Sequence, residues 1–143
     1  MKKTAQKSPV ELVSMYVLFL RALYLIHQEN HWKTRGYDLH LMFQRIYEGV
    51  QEMADEAAEK AVGVYGDLVK QDQIGTLTDR LRETEDLVER SLKAEKAFQA
   101  FAKKVYETLK ESDALTLGVD DMIMSHCSKS EVHTFLLQQA EKR

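Results

Sequence analysis

Few residues in this sequence interrupt a helix or cross-link the chain. There is one proline, Pro9, and there are six glycines among 143 residues, so long helices can continue without a break. The single cysteine, Cys127, cannot form an internal disulfide, which indicates an intracellular, cytoplasmic protein. No segment alternates apolar and polar residues over a sustained length, so we predict no strand. The fold class is expected to be all-α.

The chain also lacks a strong excess of charge of either sign. Its net charge is −3 and its pI is about 6.0, which gives no general attraction to nucleic acid or to anionic lipid. Its hydrophobic content of 44% is that of a globular protein. We expect a single domain over residues 1–143, in which residues 1–7 form a flexible basic tail.

One apolar run, residues 12–26, has the appearance of a signal peptide or a membrane span. Pro9 and Glu11 separate it from the first lysines, Arg21 interrupts it, and no small-residue cleavage site follows. It is also shorter than the roughly 20 residues that cross a bilayer. We therefore expect a soluble helix that is buried on more than one side, and no membrane association.

Capping and spacing signals predict four helices. They span about residues 9–34, 38–66, 75–111 and 114–139. Ser8 and Pro9 start the first helix, Gly36 follows its end, and Asp38 caps the second. Short connections make an antiparallel hairpin of the first pair and of the last pair. The longer connection, residues 67–77, covers up to ~35 Å when extended, which predicts a four-helix bundle with one crossover connection; a simple up-and-down bundle is the alternative.

Two pairs of candidate metal ligands lie on the first two helices. His27 and His31 are one turn apart and continue a second apolar stripe of the first helix. Asp55 and Glu59 are also one turn apart, on the side of the second helix opposite its core stripe. The plain alternatives are partly buried histidines and a solvated acidic face.

The second apolar stripe requires cover from something besides the helix's own bundle. An identical subunit related by twofold symmetry would cover it, and would bring the histidines of one chain to the carboxylates of the other. Imidazole and carboxylate together suit a divalent transition metal, Fe(II) in particular.

Residues 31–66, HWKTRGYDLHLMFQRIYEGVQEMADEAAEKAVGVYG, resemble the first two helices of Dps proteins, the DNA-protecting mini-ferritins. The features in common are HW, a basic-Gly turn, LH, an aromatic residue, a Tyr and D-x-x-A-E-[RK]. The fourth helix is similar as well, with Asp113 and Thr116 at its start. The resemblance implies a ferritin-like fold, iron as the metal, and a homo-oligomer built from twofold dimers, for which a dodecameric shell is one option.

The resemblance also implies roles for individual residues. By position, His31 and His40 are iron ligands from one subunit, and Asp55 and Glu59 are ligands from its twofold partner. Trp32 is the aromatic residue beside the site that takes an oxidising equivalent, with an interface role as the alternative.

The sequence departs from the family pattern in three places. The stretch between His31 and His40 is shorter than usual, and Gln44 stands where the family often has another acidic ligand. His27 or Asp38 is a candidate to compensate as a ligand. Residues 67–77 are expected to be too short for the small extra helix found there in most Dps proteins.

The predicted function is oxidation of Fe(II) by oxygen or peroxide and storage of ferric iron, which protects against oxidative damage. The alternative is a ferritin-like oligomer with a degenerate ferroxidase site that acts as a binding or structural module. A dimetal enzyme with its site inside one bundle is disfavoured, since no Glu-x-x-His motif is found. DNA binding is expected to be weak or absent, and His126, Cys127 and His133 are interpreted as packing residues.

Overall fold

The computed structural model describes residues 7–142, which form helices and no strand. The helices are α1 (Pro9–Lys33), α2 (Tyr37–Tyr65), α3 (Ile74–Leu81), α4 (Leu87–Glu111) and α5 (Leu117–Glu141). The predicted basic tail lies outside the described residues except for Lys7, which is exposed. The long helices α1, α2, α4 and α5 form the predicted four-helix bundle.

The ends of the first hairpin follow from local chemistry. Ser8 caps α1 through a reciprocal pair of hydrogen bonds with Glu11, and Pro9 occupies the first turn as predicted. Gly36 has a φ of +97°, which favours glycine, and α2 begins at the next residue. The prediction that Asp38 caps α2 is wrong, because Asp38 lies inside the first turn of the helix rather than before it.

The crossover connection is confirmed by contacts along α1. Near the start of α1, the backbone N–H of Val69 donates to Ser14 Oγ over 2.9 Å. Near its end, the Arg82 guanidinium lies 3.0 Å from a carboxylate oxygen of Glu29. The connection therefore returns along the length of α1 before α4 begins. α4 then runs antiparallel to α1, since Asn30 of α1 contacts Ser91 in the first turns of α4.

The prediction of one continuous third helix, without a small helix in the connection, is wrong. α3 is that small helix, and it packs on α1. Asp86 starts α4 afresh by accepting a hydrogen bond from the backbone N–H of Glu89 over 2.9 Å. The step from Leu81 to Val88 equals one heptad, so the apolar spacing continues across the break and hides it.

α1 is the most deeply buried helix of the bundle. By length and composition it could cross a membrane, and it is the one such helix within residues 7–142. However, Leu23 and Ile26 are fully buried among α2, α4 and α3, which pack against it. The second apolar stripe is buried too at Val13, Val17 and Leu20, so the expectation that the bundle itself leaves this stripe uncovered is wrong for these residues.

Candidate metal centre

His31 and His40 face each other where α1 ends and α2 begins. Their rings stack with centroids 3.7 Å apart and planes inclined by 23°. Nδ1 of His31 lies 2.8 Å from the backbone carbonyl oxygen of His40, and Nδ1 of His40 lies 2.9 Å from that of His31. Because a carbonyl can only accept, both Nδ1 atoms carry hydrogen and donate it. In its neutral form each ring is left with a lone pair on Nε2, the arrangement common to metal-binding histidines.

Asp55 and Glu59 lie far from the histidine pair along α2. Both side chains are exposed. Asp55 follows His40 by 15 residues, which is roughly 22 Å along an α-helix. In the described part of the chain, no three His, Cys, Asp or Glu side chains are grouped to hold a metal. One chain therefore presents the histidines and the carboxylates at separate places, and a shared site needs a second copy.

An open-sided cleft of about 380 Å³ lies beside Asp55, between α1, α2 and the crossover connection. Its walls are largely apolar and include Val17 of α1, Ala58 of α2 and Leu68 of the connection. Arg21 also lines it. The exposed carboxylate of Asp55 thus lies at the edge of an apolar cleft that a second molecule could fill.

Aromatic side chains lead from the histidine pair to this cleft. Tyr47 packs edge-on against His31, with centroids 5.1 Å apart, and Tyr24 packs edge-on against Tyr47 at 5.6 Å. Tyr24 also lines the cleft. Trp32, the aromatic residue predicted beside the site, follows His31 in sequence and is 66% exposed. Sequence reasoning did not place either tyrosine at the site, since their contact depends on how α1 and α2 pack.

Gln44 lies one turn beyond His40, where an acidic ligand was noted as missing. Its side-chain amide donates to Glu48 Oε1 over 3.0 Å. Glu48 is exposed and lies a further turn along α2. The first carboxylate on this edge of α2 after His40 is therefore two turns away and is held by Gln44.

His27 is directed into the bundle and contacts α4 instead of joining His31. Its Nδ1 is 2.8 Å from Ser91 Oγ, and its Nε2 is 3.2 Å from Glu95 Oε2. The other carboxylate oxygen of Glu95 lies 2.8 Å from Nδ1 of His133. Burial on its own raises the pKa of Glu95, but hydrogen bonds from His133 and His27 together bring it below its ordinary value.

The buried His27, Glu95 and His133 cluster was missed at the sequence level. One signal was available, because Glu95 takes a core-spaced position between Leu92 and Phe98 on α4. A carboxylate at such a position is rarely buried without partners. The partners come from α1 and α5, and only the folded chain brings them together.

Comparisons with known structures identify the fold. The chain superimposes on Dps from Thermosynechococcus elongatus with a TM-score of 0.79 and 18% sequence identity, covering 92% of this chain and 88% of that one. The fold is that of Dps proteins. A Dps mutant from Listeria innocua matches with a TM-score of 0.79 and 17% identity, over 99% of this chain and 97% of that one.

A further Dps structure, from Vibrio cholerae O1, matches with a TM-score of 0.75 and 14% identity over 97% of this chain and 98% of that one. That Dps is described as a member of a broad superfamily of ferritin-like diiron-carboxylate proteins. No family model and no curated protein matches this chain. The similarity to Dps is thus carried by the arrangement of the helices.

Proposed function

We propose that this protein is an iron-binding mini-ferritin that oxidises Fe(II) at a site shared by two subunits and stores the ferric product in the cytoplasm. His31 and His40 of one subunit bind the iron together with Asp55 and Glu59 of its twofold partner. The Dps fold supports this proposal, and the reciprocally bonded His31 and His40 pair carries it.

The histidine pair supports metal binding through its hydrogen bonds. Each imidazole donates from Nδ1 to a backbone carbonyl, which fixes the ring orientation and leaves Nε2 free to bind. In both histidines the hydrogen bonds already select the tautomer with hydrogen on Nδ1, so the side chains need not rearrange. The carboxylates Asp55 and Glu59 add the hard oxygen ligands that favour the ferric product.

The proposed reaction is an electron transfer from iron to peroxide or oxygen. With peroxide, two Fe(II) ions each lose one electron, and the two electrons break the O–O bond. The oxygen atoms take up protons as water or remain on Fe(III) as hydroxide. Tyr47 packs on His31, and Tyr24 packs on Tyr47, so both rings lie beside the proposed site.

A second candidate function is a ferritin-like oligomer that has lost ferroxidase activity and acts as a binding or structural module. Gln44 favours it, because an amide held by Glu48 supplies no negative charge to a ferric ion. The two functions differ in one measurable property, the rate of iron oxidation.

The test is addition of Fe(II) with peroxide or oxygen, followed by ultraviolet absorbance and size-exclusion chromatography. We expect rapid formation of ferric-oxo species in a large particle. His31→Ala and Asp55→Ala should each slow oxidation at least about tenfold, while helix content stays constant. Asp121→Ala is the matched control, since Asp121 is an exposed aspartate on α5, a helix that supplies none of the proposed ligands.

Mixing the two variants tests whether the site is shared. A dimer of one His31→Ala and one Asp55→Ala subunit keeps one intact site, so activity should partly return once subunits exchange. If hybrids form, as mass spectrometry would show, and no activity returns, the shared site is wrong. Normal rates in either single variant would also contradict it.

A further inference from the structure

A second group of polar side chains lies between α2 and α5, on residues that the proposed iron site does not use. His126 of α5 is fully buried, and its Nδ1 is 2.7 Å from the hydroxyl oxygen of Tyr16. Its Nε2 has no hydrogen-bond partner among residues 7–142. Facing it, Oε2 of Glu56 on α2 lies 3.7 Å away, and the Glu56 side chain is 47% exposed.

The separation of these two atoms is informative. A gap of 3.7 Å is too long for a hydrogen bond from nitrogen to oxygen. It is close to the separation of two ligands on one tetrahedral metal ion, which is roughly 3.4 Å for metal–ligand bonds of about 2.0–2.2 Å. The distance between the buried nitrogen and the carboxylate oxygen is therefore close to that between two ligands of one metal ion.

We propose that His126 Nε2 and Glu56 bind one divalent transition-metal ion, such as zinc, where α2 and α5 meet. In the bound form, Nδ1 donates its hydrogen to the Tyr16 hydroxyl oxygen, which fixes the ring as in other metal-binding histidines. Water completes the coordination. The exposed part of Glu56 gives the ion its entry from solvent.

Burial is the main reason why the imidazole of His126 is neutral and able to bind a metal. Burial lowers the pKa of His126 to about 4; the Glu56 carboxylate opposes the shift, and the nearby Lys129 ammonium adds to it. Burial also raises the pKa of Tyr16 well above its ordinary value, and Cys127 and Glu56 add to this rise. Near neutral pH the imidazole of His126 is therefore uncharged and the phenol of Tyr16 is un-ionised. Lys129 is exposed, so its flexible chain can turn toward solvent when a cation binds.

The test uses zinc and protein labelled with ¹⁵N at histidine, freed of metal with a chelator. It is performed in the His31→Ala, Asp55→Ala double variant, so that the proposed iron site contributes no signal. We expect zinc to shift the Nε2 resonance of His126 with saturation at one ion per chain. Glu56→Gln should weaken this binding by about tenfold or more, and Glu107→Gln, an exposed glutamate on α4, should leave it unchanged.

Two outcomes would overturn the proposal. One is a His126 resonance that does not respond to zinc up to millimolar concentration. The other is an equal response in folded Glu56→Gln protein, which would show that the carboxylate is not a ligand. Because zinc binding is read without iron oxidation and without His31 or Asp55, the result is independent of the proposed ferroxidase function.

Discussion

Glu95 shows how one charged residue is accommodated inside the bundle. It has no exposed surface, yet three side chains donate hydrogen bonds to its carboxylate: His27 from α1, and Ser130 and His133 from α5. Buried charges in proteins are generally paired and hydrogen-bonded in this way. The same contacts join α4 to α1 and to α5 at once.

Removing this carboxylate should destabilise the protein strongly. Glu95→Ala leaves two buried histidines without their acceptor, and we expect the free energy of unfolding to fall by about 3–5 kcal/mol. Urea unfolding followed by circular dichroism measures the change. Glu107→Ala, an exposed position on the same helix, should change stability by no more than about 0.5 kcal/mol. Equal effects of the two substitutions would refute a stabilising role for the cluster.

His126 should make stability depend on pH in mild acid. Its pKa is about 4 in the folded chain, against an ordinary value of 6.5. Between these values the unfolded chain binds a proton that the folded chain does not, so stability falls as pH is lowered, by up to about 3 kcal/mol. In metal-free buffer, urea unfolding between pH 6.5 and pH 4 should show this loss. His126→Asn should have a flatter profile; an unchanged slope would assign the loss to other groups, such as Glu95.

Single residues also show how far the sequence predicts the candidate site. His31 and His40 lie at the same end of the α1–α2 hairpin, so their spacing in the sequence brings the two residues close together. Their reciprocal hydrogen bonds to backbone carbonyl oxygens depend on how α1 and α2 pack. His27 was placed on the second apolar stripe of the first helix, but it follows the core residue Leu23 by one turn and is as fully buried. A helical wheel alone does not show which side of α1 each neighbouring helix covers.

At the scale of elements, the turn between α1 and α2 determines where the histidine pair lies. Gly36 has a φ of +97° and a ψ of 130°, a conformation that other residues adopt with strain. The start of α1 was predicted from Ser8 and Pro9 and its end from Gly36, whereas Asp38 was wrongly assigned as the cap of α2. The break between α3 and α4 was not predicted, because the spacing of apolar residues is preserved across it.

Two glycine substitutions in and near α2 should have opposite effects. Gly36→Ala forces a side chain into the strained turn, and we expect a loss of about 1–3 kcal/mol of stability. Gly63→Ala should instead stabilise by up to about 1 kcal/mol, because Gly63 lies within α2 and a Cβ there meets no atom within 4 Å. Thermal or urea unfolding of both variants measures the difference. If both substitutions stabilised the protein, strain at Gly36 would be excluded.

At the scale of the whole molecule, the net charge of −3 limits binding to DNA. In the proposed oligomer, weak phosphate contacts of Lys2, Lys3 and Lys7 would be multiplied, but so would the negative charge. We expect at most a salt-sensitive, sequence-independent association at low ionic strength. Gel-shift titration across salt concentrations tests this, and a stable complex at ~0.15 M salt, where screening acts within ~8 Å, would contradict it.

The crossover connection has a consequence for the order in which the chain folds. The α1–α2 and α4–α5 hairpins are closed by short loops, whereas the contacts of the connection with α1, such as Val69 with Ser14, join residues more than 50 positions apart. Closing such a long loop costs more chain entropy and is slower than closing a hairpin. We therefore expect the two hairpins to form early and the connection to dock late. The cleft beside Asp55 would then be completed last, because its walls include Leu68 and Ile74 of the connection. A subunit could therefore offer this surface to a partner only after its own chain had finished folding.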